Sequence, residues 1–289
     1  MTVHVPVLPE EVLVGMNPKP GHIVVDGTLG GGGHSLRLLK AIGSTGQLIG
    51  IDRDPLAVEE TATRLSGDNV KLLAANYADI PEILNGMEIE HVDSILLDLG
   101  LSSDQLDDRD RGFSFHAEGK LDLRFDQMSG EPAWKLINRL GEKHLANLIY
   151  KYGEEKLSRR IARKIVKLRH DQKIDTAVAL AKIVRSCYPR SYQQRIDPAT
   201  RTFQALRIAV NEELKWLSVA MERLPAYLAP GGRICVISFH SLEDRIVKQA
   251  FVGDDRLNVI SKKPITASED ELDVNPRSRS AKFRVAERV

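Results

Sequence analysis

Short β-branched runs alternate with amphipathic stretches from Gly21 onward, and this alternation restricts the fold more than any other feature of the chain. Strands are predicted at 22–26, 46–52, 70–74 and 92–98, with helices at about 35–42 and 55–65 between them. Strands separated by helices of this length form right-handed βαβ units with parallel strands. The first part of the chain is therefore predicted to be a doubly wound α/β sheet.

The alternation stops near Asp107 and resumes near Asp197. The segment between them is charged and helical in pattern, and a long helix is predicted after it, from about Thr202 to Leu228. A strand at 232–239, a helix at 242–251 and two β-like stretches at 257–261 and 282–287 follow. We predict a discontinuous α/β domain, residues 1–107 and 198–289, with an inserted helical domain at 108–197.

The inserted segment is strongly basic. Residues 156–195 contain twelve Lys and Arg residues against two Asp, whereas the whole chain has a net charge of only +1. Apolar residues at helical spacing place Arg160, Arg163 and Lys164 on the opposite face, and Arg190 and Arg195 extend the basic segment. One basic face on a nearly neutral protein favours a nucleic-acid partner. The alternative is an ordinary solvated helix exterior.

Composition excludes several classes of protein. The two cysteines, Cys187 and Cys235, exclude a disulfide scaffold and a cysteine-rich zinc module, and they suit a reducing compartment. No apolar run approaches the ~18 residues of a membrane span, and no signal peptide is predicted. The eight histidines are dispersed, so no metal site is expected. These observations indicate a cytoplasmic enzyme or binding protein.

A glycine-rich turn, Asp26-Gly-Thr-Leu-Gly-Gly-Gly-Gly-His34, follows the first predicted strand. Glycines let backbone N–H groups approach a ligand at a helix N-terminus, and ligands of doubly wound sheets bind beyond the carboxyl ends of the strands. Asp52 ends the second strand, where a carboxylate can accept both hydroxyls of a ribose. A nucleoside-containing cofactor is therefore predicted; a tight turn beside a surface acid is the alternative.

Two details bear on the type of cofactor. A dinucleotide fingerprint needs Gly or Ala at the position of Ser35. Asp26 would repel a pyrophosphate, but it would attract the positively charged amino group of S-adenosylmethionine. We therefore favour this methyl donor over the alternative, a nicotinamide cofactor.

Two further polar residues follow predicted strands at the same edge of the sheet. Asp98 ends the fourth strand and His240 follows the fifth, so both are predicted to face the cleft. Asp26 and His240 are candidates for accepting the proton that a methylated amino group releases, and Asp98 could accept its hydrogen bond. The alternatives are a loop cap for Asp98 and a hydrogen-bonded turn histidine for His240.

Long motifs in the same order along nearly the whole chain resemble one family. They are His4-Val-Pro-Val-Leu8, the turn from Asp26 to Ser35, Ile51-Asp-Arg-Asp-Pro55, Leu96-Leu-Asp-Leu-Gly-Leu-Ser-Ser103, Gln105-Leu-Asp-Asp108, Arg111-Gly-Phe-Ser-Phe115, Leu121-Asp-Leu-Arg-Phe-Asp126, Tyr152-Gly-Glu-Glu155, Thr200-Arg-Thr-Phe-Gln-Ala-Leu-Arg-Ile208, Ser238-Phe-His-Ser-Leu-Glu-Asp-Arg-Ile-Val-Lys248 and Asn275-Pro-Arg-Ser-Arg-Ser280. The family is that of the bacterial 16S ribosomal RNA cytosine-N4 methyltransferases (RsmH, formerly MraW).

The resemblance implies a class I S-adenosylmethionine-dependent methyltransferase with an inserted helical domain. It implies methylation of the N4 atom of a cytosine in the decoding region of 16S rRNA, in the assembled small ribosomal subunit. The partner is then RNA rather than DNA or a membrane. By motif match, the implied cofactor contacts are Gly32, Gly33, His34, Asp52, Tyr77, Asp98 and Gln105.

The target base has to leave its stack to reach such a pocket, and flipped bases stack on aromatic or arginine side chains. Trp134 is the candidate platform, Phe113 and Phe115 are second candidates, and a core position is the alternative for Trp134. The Pro-Pro-aromatic loop of many amino-methyltransferases is replaced here by Asp98-Leu-Gly-Leu, so its geometry is not expected. A methyltransferase for a small molecule or a protein, and a non-catalytic RNA-binding assembly factor, are the rival functions.

Overall fold

A computed structural model describes residues 6–116, 118–189 and 196–289. The chain divides into two compact units, here called the α/β unit (residues up to 102 together with 214–289) and the helical unit (103–213). The predicted insert, 108–197, falls within the helical unit, which extends further at both ends. His4 and Val5 of the first motif, and Arg190 and Arg195 of the basic segment, lie outside the described residues.

The α/β unit contains one seven-stranded sheet with helices on both faces. Its elements are α1 (Pro9–Met16), β1 (Ile23–Asp26), α2 (Gly33–Ile42), β2 (Gln47–Asp52), α3 (Pro55–Ala62), β3 (Val70–Ala74), α4 (Ile80–Gly86), β4 (Val92–Asp98), α11 (Glu213–Arg223), β5 (Leu228–Ser238), α12 (Ser241–Gly253), β6 (Leu257–Val259), α13 (Glu269–Val274) and β7 (Lys282–Arg288). The strand order is β3-β2-β1-β4-β5-β7-β6; β7 pairs antiparallel with β5 and β6, and the other pairs are parallel. This topology confirms the predicted class I methyltransferase fold.

The central strands β1, β2 and β4 form where they do because their β-branched and leucine side chains are buried on both faces of the sheet. On one face Val25, Ile49 and Leu97 pack with residues of α4, α11 and α12. On the other face Val24 and Leu96 pack with residues of α1 and α2. Burial on both sides fixes the register of the central strands, and it brings the carboxyl ends of β1, β2 and β4 to one edge.

The helical unit contains α5 (Ser103–Asp107), α6 (Ala133–Arg139), α7 (Glu142–Gly153), α8 (Ser158–Leu168), α9 (Ala177–Arg185) and α10 (Thr200–Asn211). The apolar stripe of α8 is buried through Ile161 and Ile165, whereas Arg160 and Arg163 on its other face are exposed. None of the helices in the described parts of the chain is long and apolar enough to cross a membrane.

The predicted long helix from Thr202 to Leu228 is wrong, because the chain breaks it after Asn211. Glu212 has the left-handed backbone conformation (φ +52°), and its N–H donates to the carbonyl oxygen of Ile208. The buried Asn211 amide explains the break: it donates to the Leu123 carbonyl at 2.7 Å and accepts from the Phe125 N–H at 2.9 Å. A distant segment of the helical unit therefore determines where α10 ends.

Candidate active site

Three aspartates end adjacent parallel strands at one edge of the sheet. Asp26 is the last residue of β1, Asp52 of β2 and Asp98 of β4, and the strand order places β1 between the other two. Carboxyl ends of parallel strands form the ligand-binding edge of doubly wound folds. The structure thus brings together three of the predicted site residues in the α/β unit.

The glycine turn lies across this edge and is tied to the neighbouring strands. The Gly27 N–H donates to the Leu96 carbonyl oxygen, and the Leu29 N–H donates to that of Ile51, both at 2.9 Å. Gly32 has φ +74°, and a Cβ atom there would lie 2.7 Å from Cγ2 of Thr61. Only glycine satisfies both the backbone conformation and the close approach. Helix α2 starts at Gly33, so its first N–H groups are at the turn.

Asp52 holds the turn through its own carboxylate. Oδ2 accepts the Gly30 N–H at 2.7 Å, and Oδ1 accepts the Asp54 N–H at 2.8 Å. Burial raises the pKa of Asp52 to about 6, although both hydrogen bonds oppose the rise. The side chain is partly exposed, and each carboxylate oxygen has a second lone pair. Asp52 can therefore accept further hydrogen bonds, such as those of ribose hydroxyls.

Asp26 is almost fully buried, with 1% of its surface exposed. Oδ2 accepts the Ser35 hydroxyl at 2.6 Å, and Oδ1 accepts the Thr28 N–H at 3.2 Å. Burial raises the pKa of Asp26, while the Ser35 hydrogen bond opposes the rise. Both oxygens thus join the end of β1 to the turn and to α2. In the sequence, Ser35 stands out only as a departure from the dinucleotide fingerprint, and its hydrogen bond to Asp26 could not be predicted.

His34 and Asp98 form a close pair with unused hydrogen-bonding capacity. Nε2 of His34 lies 3.5 Å from Oδ2 of Asp98, and the two side chains are 7% and 18% exposed. Neither nitrogen of His34 has a hydrogen-bond partner among the residues described, and the same holds for Oδ1 of Asp98. The Asp98 N–H donates to the Thr28 hydroxyl at 2.6 Å, which fixes the backbone here. Buried polar atoms without partners indicate a place for a ligand.

His240 caps a helix. Its Nδ1 accepts the Glu243 N–H at 3.3 Å, and Oε2 of Glu243 accepts the N–H groups of Phe239 at 2.9 Å and of His240 at 3.3 Å. This reciprocal capping box starts α12. Nε2 lies 3.2 Å from Oε1 of Glu243. The structure therefore supports the turn-histidine interpretation, and the catalytic role of His240 stays a prediction.

The two remaining predicted cofactor contacts lie in different units. Tyr77 begins a 3₁₀ turn, Tyr77–Asp79, and lies against the glycine turn, because a Cβ atom on Gly27 would be 3.0 Å from Cβ of Tyr77. Gln105 is buried in α5 of the helical unit. Their contacts with a cofactor stay predictions.

The aromatic candidates for base stacking differ in exposure. Trp134 is half-buried near the start of α6, and the ammonium groups of Lys120 and Lys135 lie 5.8 and 5.4 Å from its ring centroid. Phe113 is buried and stacks on Phe125, with ring centroids 6.1 Å apart. Phe115 packs edge-on against another phenylalanine of the helical unit. Of the three candidates for base stacking, Trp134 is thus the one whose ring lies beside lysine ammonium groups.

The basic residues of the helical unit fall into two groups. Arg169 and Arg185 have internal roles: Arg169 Nη1 donates to two carbonyl oxygens at 2.6 Å, and Arg185 pairs with Asp197 at 2.6 Å. Arg160 is exposed, Arg163 lies 3.4 Å from an exposed Glu142, and Lys164 donates weakly to a carbonyl oxygen at 3.5 Å. The α8 face thus keeps accessible positive charge, although part of the basic segment is internal.

A sequence model of the MraW methylase family matches residues 1–289. The chain belongs to the MraW methylase family. This MraW methylase is 52% identical over 286 residues to Ribosomal RNA small subunit methyltransferase H of Deinococcus radiodurans, covering 99% of the chain and 90% of the relative. It is 50% identical over 289 residues to the protein of the same name from Synechococcus elongatus, covering 99% and 95%. A solved rRNA methylase from Streptococcus thermophilus aligns with a TM-score of 0.45 at 11% identity, covering 100% and 99%.

Membership of the MraW methylase family confirms the predicted family and the predicted class of enzyme, a methyltransferase. It also confirms S-adenosylmethionine as the cofactor in preference to a nicotinamide. Family membership does not identify the residues that bind the cofactor; these are inferred from the geometry of the strand ends.

Proposed function

We propose that this methylase transfers the methyl group of S-adenosylmethionine to the exocyclic N4 atom of a cytosine in the decoding region of 16S rRNA. The substrate would be the small ribosomal subunit, which places the reaction in the cytoplasm. The proposal rests on one observation: the same chain has a glycine turn beside three aspartates and an exposed basic face on α8. The names and the extent of identity of the relatives support the choice of substrate.

S-adenosylmethionine, when bound, supplies a sulfonium methyl group. The residues at the strand ends fit a ligand that carries a positive charge and a ribose, because three carboxylates lie beside a turn with four consecutive glycines, Gly30 to Gly33. We assign the ribose hydroxyls to Asp52 and the methionine part to the turn at Gly32, Gly33 and His34, next to Asp26. Tyr77, Asp98 and Gln105 complete the proposed contacts.

Cytosine N4 is a weak nucleophile because its lone pair is delocalised into the ring. A residue that accepts a hydrogen bond from the amino group raises electron density on nitrogen and takes up the proton released. Oδ1 of Asp98 and Nε2 of His240 are both buried without a hydrogen-bond partner among the described residues, whereas Asp26 uses both oxygens in the turn. Nδ1 of His240 is used in the cap and its Nε2 lies 3.2 Å from Oε1 of Glu243, so both ring nitrogens face Glu243. We therefore assign this role to Asp98 Oδ1, with His34 as its neighbour; Asp26 and His240 are the other candidates.

The RNA contacts are assigned to the helical unit. Arg160, Arg163 and Lys164 would bind phosphates, because exposed cations on one helix face suit a polyanionic backbone. Trp134 would stack on the flipped cytosine, since its half-buried ring is held in place by α6 and leaves part of its surface accessible. These roles are independent of the cofactor contacts, so they can be tested separately.

The test is methyl transfer from radiolabelled S-adenosylmethionine to small ribosomal subunits from a strain that lacks the endogenous activity. Naked 16S RNA and whole ribosomes run in parallel, and the labelled nucleoside is identified. We expect N4-methylcytidine, mainly on the small subunit. Cofactor binding without any transfer would overturn the proposed substrate. Label on another nucleoside would overturn the proposed reaction.

A further inference from the structure

The α/β unit has a pocket of about 330 Å³ that none of the proposed cofactor or RNA contacts lines. Its walls come from α12, β6, β7 and the segment after β6, and they are formed by Lys248, Phe251, Val252, Val259, Lys262 and Arg284. Three of these described residues are cations, three are apolar and none is an acid. The pocket therefore suits a ligand that combines negative charge with an apolar face.

Arg284 is the buried cation of the pocket lining. It is only 5% exposed, and its Nε donates to Oδ1 of Asp244 at 2.7 Å. Its two Nη groups have no hydrogen-bond partner among the residues that the structure describes. A guanidinium has five N–H donors, so most of its donors remain available. Arg284 is thus paired with Asp244 through Nε and still presents its Nη groups as donors for a phosphate or a carboxylate.

The rest of the pocket adds charge at the rim and an apolar wall. Lys248 and Lys262 are exposed, and Lys263 next to them is exposed as well. Val252, which is 69% exposed, and the half-buried Val259 offer aliphatic surface, and the buried Phe251 lines the same pocket. A nucleotide matches both features, because every base has an apolar face and carries a phosphate on its sugar. An acidic peptide would use the cations but would leave the aliphatic surface of Val252 and Val259 without a specific partner.

We propose that this pocket binds one unstacked nucleotide of the RNA substrate. The phosphate would lie on Arg284, Lys248 and Lys262, and the base would lie against Val252 and Val259. The inference rests on the proposed function, since it takes RNA as the substrate. It adds to that function an RNA contact on the α/β unit, which also carries every proposed cofactor contact except Gln105.

A direct test follows the methyl NMR signals of Val252 and Val259 in the full chain as uridine 5′-monophosphate, inorganic phosphate or a glutamate-rich peptide is added. We expect the nucleotide to shift both signals, and phosphate alone to shift them less. Both shifts should disappear in the Lys248→Glu/Lys262→Glu variant. Shifts with the peptide but not with the nucleotide would mean a protein-binding pocket and would overturn the proposal, as would no shift at all.

The second arm measures methyl transfer to small subunits. Lys248→Glu/Lys262→Glu should raise the KM for subunits about tenfold and lower its logarithmic salt dependence by about 1 per lysine, with the Kd of S-adenosylmethionine unchanged. Val252→Trp, which fills the pocket without changing charge, should also raise the KM. Lys71→Glu, on the exposed strand β3 at the opposite edge of the sheet, is the control and should leave it unchanged.

The two arms separate the possible failures. A KM that stays unchanged in the pocket variants, with an active wild-type enzyme, would overturn the assignment of this pocket to the RNA substrate even if the mononucleotide binds. If the wild-type enzyme transfers no methyl group to any RNA, the proposed function fails. The NMR arm then still decides whether the pocket binds a nucleotide.

Discussion

Nε2 of His34 lies 3.5 Å from Oδ2 of Asp98, and this places a buried imidazole beside the carboxylate that ends β4. The pair connects the start of α2 with the fourth strand of the sheet. The other carboxylate oxygen, Oδ1, has no partner within the described parts of the chain. Asp98 thus faces the imidazole of His34 through one carboxylate oxygen only.

This arrangement predicts a selective effect of Asp98→Asn. The amide keeps the size of the side chain but cannot take up a proton, so we expect kcat to fall by about 10²- to 10⁴-fold. Single-turnover transfer to small subunits at saturating cofactor measures the effect, and calorimetry gives the Kd of S-adenosylmethionine. A loss confined to the Kd, with kcat unchanged, would show that Asp98 only binds the cofactor.

His240 gives a clear distinction between a capping and a catalytic role. His240→Ala removes the side-chain acceptor of the helix cap, so the free energy of unfolding should fall by about 0.5–2 kcal/mol. His240→Asn supplies an efficient capping acceptor and should restore stability, with kcat within about twofold of the wild type. Urea denaturation and the transfer assay measure the two quantities. A stable His240→Asn enzyme that had lost activity would instead make His240 the catalytic residue.

Cofactor binding should depend on pH through Asp52, whose pKa is raised to about 6 by burial. The carboxylate becomes protonated as the pH falls through about 6, and it then loses acceptor capacity for ribose hydroxyls. The Kd of S-adenosylmethionine should therefore rise about tenfold for each pH unit below 6. Asp52→Asn should bind weakly at every pH with a flat profile between pH 5 and 8. A profile that kept its slope in this variant would assign the titration to another group, such as Asp26.

Charge reversal on α8 tests the proposed RNA face. Arg160→Glu together with Arg163→Glu should raise the KM for small subunits at least tenfold and flatten its salt dependence, because phosphate contacts release counterions. The Kd of S-adenosylmethionine and the melting temperature should stay close to the wild type, since both side chains are exposed. An unchanged salt dependence would remove α8 from the RNA interface. Lys71→Glu again provides a control with the same type of charge change.

The strands and the three aspartates could be predicted from the sequence because both depend on local pattern. A run of β-branched residues marks each strand, and the polar residue after it marks the ligand-binding edge. The close pair of His34 and Asp98 could not be predicted from local pattern, because it joins two residues that are 64 positions apart. The break after Asn211 depends on its bonds to residues 123 and 125. The Nη groups of Arg284, which lack a partner among the described residues, are likewise recognised only once β7 is placed.

The position of β7 has a consequence for biosynthesis. This strand lies between β5 and β6, pairing Val236 with Arg284 and Asn258 with Glu287, yet it follows every other strand in the chain. During synthesis of the chain, the apolar edge of β5 therefore stays unpaired until residues 282–288 have left the ribosome. Open edges recruit other strands. A messenger that ends before Lys282 would thus yield an aggregating fragment rather than a smaller enzyme.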